Sequence, residues 1–168
     1  MKALILAAGS HEHRHSQGTA ETWVLQPLGD YAIIDYVVQL AETIVEPEGI
    51  YIVTSALSDE IMVHLNSHFG HDRYQYVVQS EARGTGDAVL QARGGLADYD
   101  GPLLILYADT PLLRESSLRG LVTRHLLKGS TFTLLSANAE GNQPYGRIMR
   151  DATNRIVDIV EPTDETDL

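Results

Sequence analysis

The chain has 168 residues, no cysteine and a formal net charge of -11. The charge argues against a face that neutralises nucleic-acid phosphates, and the lack of cysteine rules out disulfides and thiolate metal sites. The length suits one domain, the 43% hydrophobic fraction can fill a core, and no apolar run is long enough to span a bilayer.

Strand-like and helix-like runs alternate along the chain. Ala3 to Leu6 is a short apolar run that stops at two alanines and Gly9, as a buried strand entering a close loop does. Residues 32–44 have helical spacing, with Ile33, Val37, Leu40 and Ile44 on one face. Strands are predicted over residues 50–54, 74–78 and 103–107. A helix over 58–69 opens on Ser58 as a cap, with Asp59 and Glu60 in its first turn. A short helix over 85–92 follows Gly84, and one over 116–127 ends at Gly129. A fifth strand is predicted over 132–136. Residues 145–150 and 155–160 read as a hairpin around 151–154. This order implies an α/β fold, a mostly parallel sheet with helices on both faces, in a single domain over 1–168.

Several segments carry candidate chemistry. Gln79-Ser-Glu-Ala-Arg-Gly-Thr-Gly86 is a polar, glycine-containing loop that leads from a strand into a helix. Exposed backbone N–H groups there suit an anion or a base edge; the plain alternative is a connection capped by Thr85. Asp109 follows an apolar strand, where a carboxylate can hold Mg²⁺ bridging phosphates; the alternative is a turn residue before Pro111. His11, His13 and His15 alternate along one side of any extended segment, a pattern for Zn²⁺ or Ni²⁺ but also for a plain polar loop. His64, His68, His71 and His125 read as surface residues on or near helices. The loop after Leu6 and the loop after the third strand are expected at the carboxyl ends of adjacent parallel strands, converging on one pocket with Asp109 at its rim. Lys2 and Lys128 are the only lysines, so arginines carry most of the cationic work.

Taken in order, these segments resemble the sugar-1-phosphate nucleotidylyltransferases, and within them the uridylyltransferase domains of bacterial N-acetylglucosamine-1-phosphate uridylyltransferases. The similarity covers nearly the whole chain. Leu6, Ala7, Ala8 and Gly9 look like the family's opening nucleotide loop. Residues 23–38 look like the segment that follows its active-site lysine. Gln79 with Gly84 and Thr85 matches its uracil-recognition loop, and Tyr107-Ala-Asp109 its metal-carboxylate motif. Tyr145-Gly146-Arg-Ile148 and Ile159-Val-Glu161 match the sugar side. The resemblance implies UTP and N-acetylglucosamine-1-phosphate as substrates and Mg²⁺ at Asp109. It also implies sugar contacts from Tyr107, Gly146 and Glu161, and a UDP-sugar product used in building the cell envelope. A sugar-1-phosphate oxygen would attack the α-phosphorus of UTP, and pyrophosphate would leave.

The chain departs from the family pattern at its first loop. The second glycine of that loop is missing, and Arg14 stands in a shifted position as the candidate catalytic cation. Trp23, after Thr22, occupies the place of the lysine, and tryptophan cannot neutralise a phosphate. No lysine follows Glu161. The family domain continues beyond this length, with an acceptor-binding asparagine and a second metal ligand. Impaired turnover is therefore expected, with a non-catalytic binding relative or a piece of a longer bifunctional enzyme as alternatives. The acidic stretch 161–168 reads as a solvated tail or as a cut segment. With no signal peptide before Gly9, a cytoplasmic protein is expected. Apolar surface left open by a shortened core favours a homo-oligomer. Neither nucleic acid nor a membrane is expected as a partner.

Overall fold

The computed structural model describes residues 1–9, 22–56, 59–81, 83–138 and 145–160. Two compact units divide the chain, Met1–Thr133 and Leu134–Leu168.

In the first unit the chain forms β1 (Lys2–Leu6), the two-residue strands β2 (Pro27–Leu28) and β3 (Tyr31–Ala32), and α1 (Ile33–Glu42). It continues through β4 (Ile50–Ser55), α2 (Asp59–Phe69), β5 (Gln75–Gln79), α3 (Thr85–Gln91), β6 (Leu103–Tyr107) and α4 (Glu115–Lys128). Four strands make one parallel sheet in the order β5-β4-β1-β6. Central β1 is buried on both faces, which explains its unbroken apolar run.

The alternation of side chains along β1 divides the core. Ala3, Ile5 and Ala7 face a layer built from α1, α2 and α4, with Ile34, Val38, Ile61, Leu65 and Leu118 fully buried. Leu4, Leu6 and Ala8 face the other side, where Ala88 of α3 and Ala92, its C-cap, pack on them. Small residues on α3 let that helix lie close to the sheet. Helices therefore cover both faces, as expected. On α1 the buried stripe centres on Ile34, Val37, Val38 and Ala41, rotated slightly from the expected face, with Leu40 and Ile44 at its margin. Each large aliphatic side chain taken from water stabilises the fold by roughly 1.5–3 kcal/mol.

Helix ends follow ordinary chemistry. The Asp35 carboxylate accepts the Ala32 N–H at 2.9 Å and closes the first turn of α1. Gly129 ends α4 with φ 56°, the left-handed conformation that glycine adopts without strain. Ser58 falls outside the described residues, so its capping role does too.

Two expectations need correction. Residues 132–136 form no strand. Their composition favours extension, but no ladder partner pairs with them among the described residues, and β-propensity alone does not pair a strand. The strands before the two glycine loops are also not adjacent, because β4 lies between β1 and β5.

The second unit contains an antiparallel hairpin of β7 (Arg147–Arg150) and β8 (Ile156–Val160), as the sequence pattern implies. The Asp151 carboxylate holds its turn, accepting from the N–H groups of Thr153 and Arg155 at 2.8 and 3.0 Å and from the Thr153 hydroxyl.

Candidate functional site

The parallel strands send their following loops to one edge of the sheet. Across that edge the order is Gln79 after β4's outer neighbour, then Ser55, then Leu6 to Gly9, then Asp109. The end of β1 is tied on both sides: the Ala7 N–H donates to the Val53 carbonyl at 2.8 Å, and the Ala108 N–H to the Leu6 carbonyl at 3.0 Å. These bonds hold Asp109 beside the loop that leaves β1. Among the described residues, no atom lies within 4 Å of where a Cβ at Gly9 would stand.

At the other end of the edge, Gln79 is only 4% exposed. Its amide donates to the Gly84 carbonyl at 3.2 Å and to Asp87 at 2.7 Å. Gln79 thus ties the loop to the first turn of α3, and both its amide hydrogens are committed there. Gly84, rather than Thr85, occupies the N-cap position, and no side chain caps the helix. Thr85 is the first helical residue, which corrects the capping alternative. Gly84 has φ 93° and ψ 178°, backbone that is essentially closed to other residues. Gly84→Ala is expected to cost about 1–3 kcal/mol of stability. Gly86→Ala, at a helical position with open space around it, should be neutral or slightly stabilising. Urea unfolding midpoints of the two variants check this contrast.

Asp109 sits in a turn in which the Thr110 hydroxyl donates to the Tyr107 carbonyl at 2.8 Å. The turn-residue reading is thus correct as local structure, and the carboxylate remains exposed. Tyr107, half exposed, ends β6. Asp109 and Pro111 line a cavity of about 500 Å³ together with Trp23, Pro27, Leu28 and Ile33, and Gln26 completes the described lining. Most of the walls come from residues 23–33, a segment matched by family resemblance but assigned no hairpin from its local pattern. The β2–β3 hairpin turns at Gly29-Asp30, and the Ile33 N–H donates to the Gln26 carbonyl at 3.1 Å, delivering the chain into α1. Tyr36 of α1 donates its hydroxyl to the Leu28 carbonyl and fixes the hairpin. A glycine-aspartate pair between apolar residues was the available signal for that hairpin.

Trp23 is 40% exposed and opens a single helical turn, residues 23–25. Buried Thr22 before it donates its hydroxyl to Glu60 of α2 at 3.1 Å. Lys2 lies at the opposite, amino edge of the sheet. Its ammonium donates to the Tyr51 hydroxyl at 3.1 Å and sits 5.0 Å from the Tyr99 ring centroid. Arg83 donates to Glu81 at 2.7 Å, an exposed pair that offsets its charge locally.

His68 is exposed, as expected, whereas His64 is half-buried. His64 contacts Asp35 at 2.8 Å, and the two imidazoles stack at 4.1 Å. His125 meets the Thr133 hydroxyl at 3.0 Å. Tyr145 and Gly146 lie in the second unit. Arg14, Glu161 and the His11, His13 and His15 segment fall outside the described residues. No helix among the described residues is long and apolar enough to cross a membrane.

Comparison with known proteins gives a consistent result. The nucleotidyl transferase family profile matches residues 2–167. The bifunctional protein GlmU of Geobacter sulfurreducens is 35% identical over 99% of the chain, which spans 33% of that protein. The chain thus covers about a third of the length of the curated relatives it matches. A UDP-glucose pyrophosphorylase solved with UDP-glucose superposes with a TM-score of 0.70 at 20% identity, over 98% of this chain and 70% of that one. Rv0371C of Mycobacterium tuberculosis, solved with manganese, gives a TM-score of 0.50 at 16% identity, over 73% and 57% of the two chains.

Proposed function

The chain belongs to the nucleotidyl transferase family, and from that premise we propose that it binds UTP along the carboxyl edge of its sheet, with turnover impaired. The reaction of this lineage is uridylyl transfer to N-acetylglucosamine-1-phosphate. An oxygen of the sugar phosphate bonds to the α-phosphorus, the bond to the bridging oxygen breaks, and pyrophosphate leaves. One observation carries the reading. Gln79, the Leu6–Gly9 loop and Asp109 share one edge, in an order that spans three strand spacings, roughly 14 Å. That length suits an extended nucleotide, with its base at Gln79 and Gly84 and its phosphates between Gly9 and Asp109.

Asp109 offers a hard oxygen ligand that suits Mg²⁺. Bound there with the phosphates, the ion would neutralise charge on the transferring group. The remaining work is positioning, with Leu6, Ala7, Ala8 and Gly9 presenting backbone to the ligand. For Arg14, Tyr107, Gly146 and Glu161 the family resemblance is the only support: it implies a cation for the phosphates from the first and sugar contacts from the others.

Calorimetric titration of Mg²⁺ tests this reading. Binding to the protein alone should be weak, because Mg²⁺ keeps its waters and one carboxylate is a poor site. It should tighten about tenfold or more once UTP is present, and Asp109→Ala should abolish the gain. Tight binding without UTP, or no effect of UTP, would overturn the reading. A second reading, nucleotide binding without turnover, is favoured by Trp23 at the position of the family lysine.

A further inference from the structure

The Gln79 side chain is set by two neighbours that can only accept. Its Nε2 donates to the Gly84 carbonyl at 3.2 Å and to Asp87 Oδ2 at 2.7 Å. Both acceptors are fixed by α3, with Asp87 in its first turn. The Gly84 carbonyl also takes the Ala88 N–H at 3.2 Å, and Asp87 Oδ1 takes the Gln91 amide, one turn further on, at 3.2 Å. Turning the Gln79 amide over would set its Oε1 against a carbonyl and a carboxylate, neither of which has a hydrogen to give. One orientation is therefore held, and the carboxylate contributes the larger share of the preference. In that orientation Oε1 accepts from no described residue. No buried side-chain oxygen among the described residues is left unpaired, so this one reaches the surface. A side chain that is 4% exposed thus offers a ligand one hydrogen-bonding atom, and that atom is an acceptor.

We propose that Asp87 is a positioning residue for base selection. It holds the Gln79 amide with Oε1 toward the nucleotide, so that the site takes a pyrimidine with a ring N–H, such as uracil, over one with a bare ring nitrogen at the same place, such as cytosine. This role rests on the base lying at Gln79 and Gly84, as in the nucleotide reading. The uracil N3–H donates to Oε1. Cytosine N3 carries only a lone pair there, and both acceptors stay unpaired. Asp87 acts through Gln79 and needs no contact with the base.

Equilibrium dialysis of the full chain with UTP, CTP and 3-methyl-UTP tests this role. The unaltered chain should hold UTP about tenfold or more tighter than CTP, and also than 3-methyl-UTP, which lacks the ring hydrogen. Asp87→Asn keeps the shape but can donate to Gln79 Oε1, which lets the amide turn over and present Nε2 to the base. Its preference for UTP over CTP should fall about tenfold, with CTP bound as well as by the parent or better. Asp87→Glu keeps an acceptor and should hold the preference within about threefold of the parent. A residue that only held the loop together would, on removal, weaken both nucleotides and leave the preference unchanged. Unchanged preference in Asp87→Asn, equal loss of both nucleotides, or 3-methyl-UTP bound as tightly as UTP overturns the proposal. If the unaltered chain binds UTP and CTP equally, the proposal fails and the nucleotide reading stands. If it binds neither, the nucleotide reading fails and takes the proposal with it.

Discussion

Given UTP, N-acetylglucosamine-1-phosphate and Mg²⁺ together, this chain is expected to release pyrophosphate far below the ordinary enzyme range of about 1–1000 per second. The argument is electrostatic. The transferring α-phosphate and the leaving pyrophosphate concentrate several negative charges, and phosphoryl chemistry depends on cations placed around them in advance. The described edge supplies few. Trp23 stands where the resemblance puts a lysine. Lys2 is held at the amino edge by Tyr51 and the Gly95 carbonyl, at the wrong end of the sheet. Lys128 closes α4. Arg83, just before Gly84 in the glycine loop, pairs with Glu81. Trp23→Lys should raise the weak rate by about tenfold or more, since one charge returned to a partly desolvated transition state is worth on the order of 1.4 kcal/mol or above. Pyrophosphate release by the unaltered chain within the ordinary range would show that other groups meet the charge.

Much of this architecture was legible in the residues, for reasons that differ by element. Strands β1, β4 and β6 are short apolar runs bounded by glycine, proline or polar residues, and burial in a parallel sheet demands that pattern. The helices announced themselves by periodicity and, for α4, by Gly129. Strand order was not legible, because nothing in a local run says which neighbour it takes; β4 came to lie between β1 and β5. Residues 132–136 show the converse, a strand-like composition without a ladder. In the site, the polar residues Gln79, Gly84 and Asp109 stood out because their chemistry is unusual after an apolar strand. The walls Pro27, Leu28, Ile33 and Pro111 did not, since apolar residues carry no sign of which cavity they will line. Asp35 was hidden for a related reason: a carboxylate in a helix reads as a solvated face.

That hidden carboxylate carries the second large expected effect. Asp35 is 1% exposed, and its two oxygens are divided between the Ala32 N–H at 2.9 Å and His64 of α2 at 2.8 Å. It therefore closes the first turn of α1 and joins α1 to α2. Breaking a buried pair by removing one partner commonly costs about 3–5 kcal/mol, because the other partner stays behind without compensation. Here His64 is partly exposed and water can reach it, so the lower end applies. Asp35→Ala should therefore cost about 3 kcal/mol, a fall in melting temperature of roughly 10 °C for a chain of this size. Asp35→Asn keeps the shape and one acceptor oxygen for Ala32, and should cost about half as much or less. Ile33, in the same first turn, lines the same cavity as Asp109, and Glu60, one turn before His64, accepts from Thr22, the neighbour of Trp23. Loosening the start of α1 should thus reach the cavity, and the Trp23 emission of Asp35→Ala should shift under native conditions while that of Asp35→Asn stays close to the parent. Thermal unfolding and the single-tryptophan spectrum measure both halves. A melting temperature within about 2 °C of the parent for Asp35→Ala would mean that the pair contributes little and that α1 and α2 are held by Ile34, Val38, Ile61 and Leu65 alone.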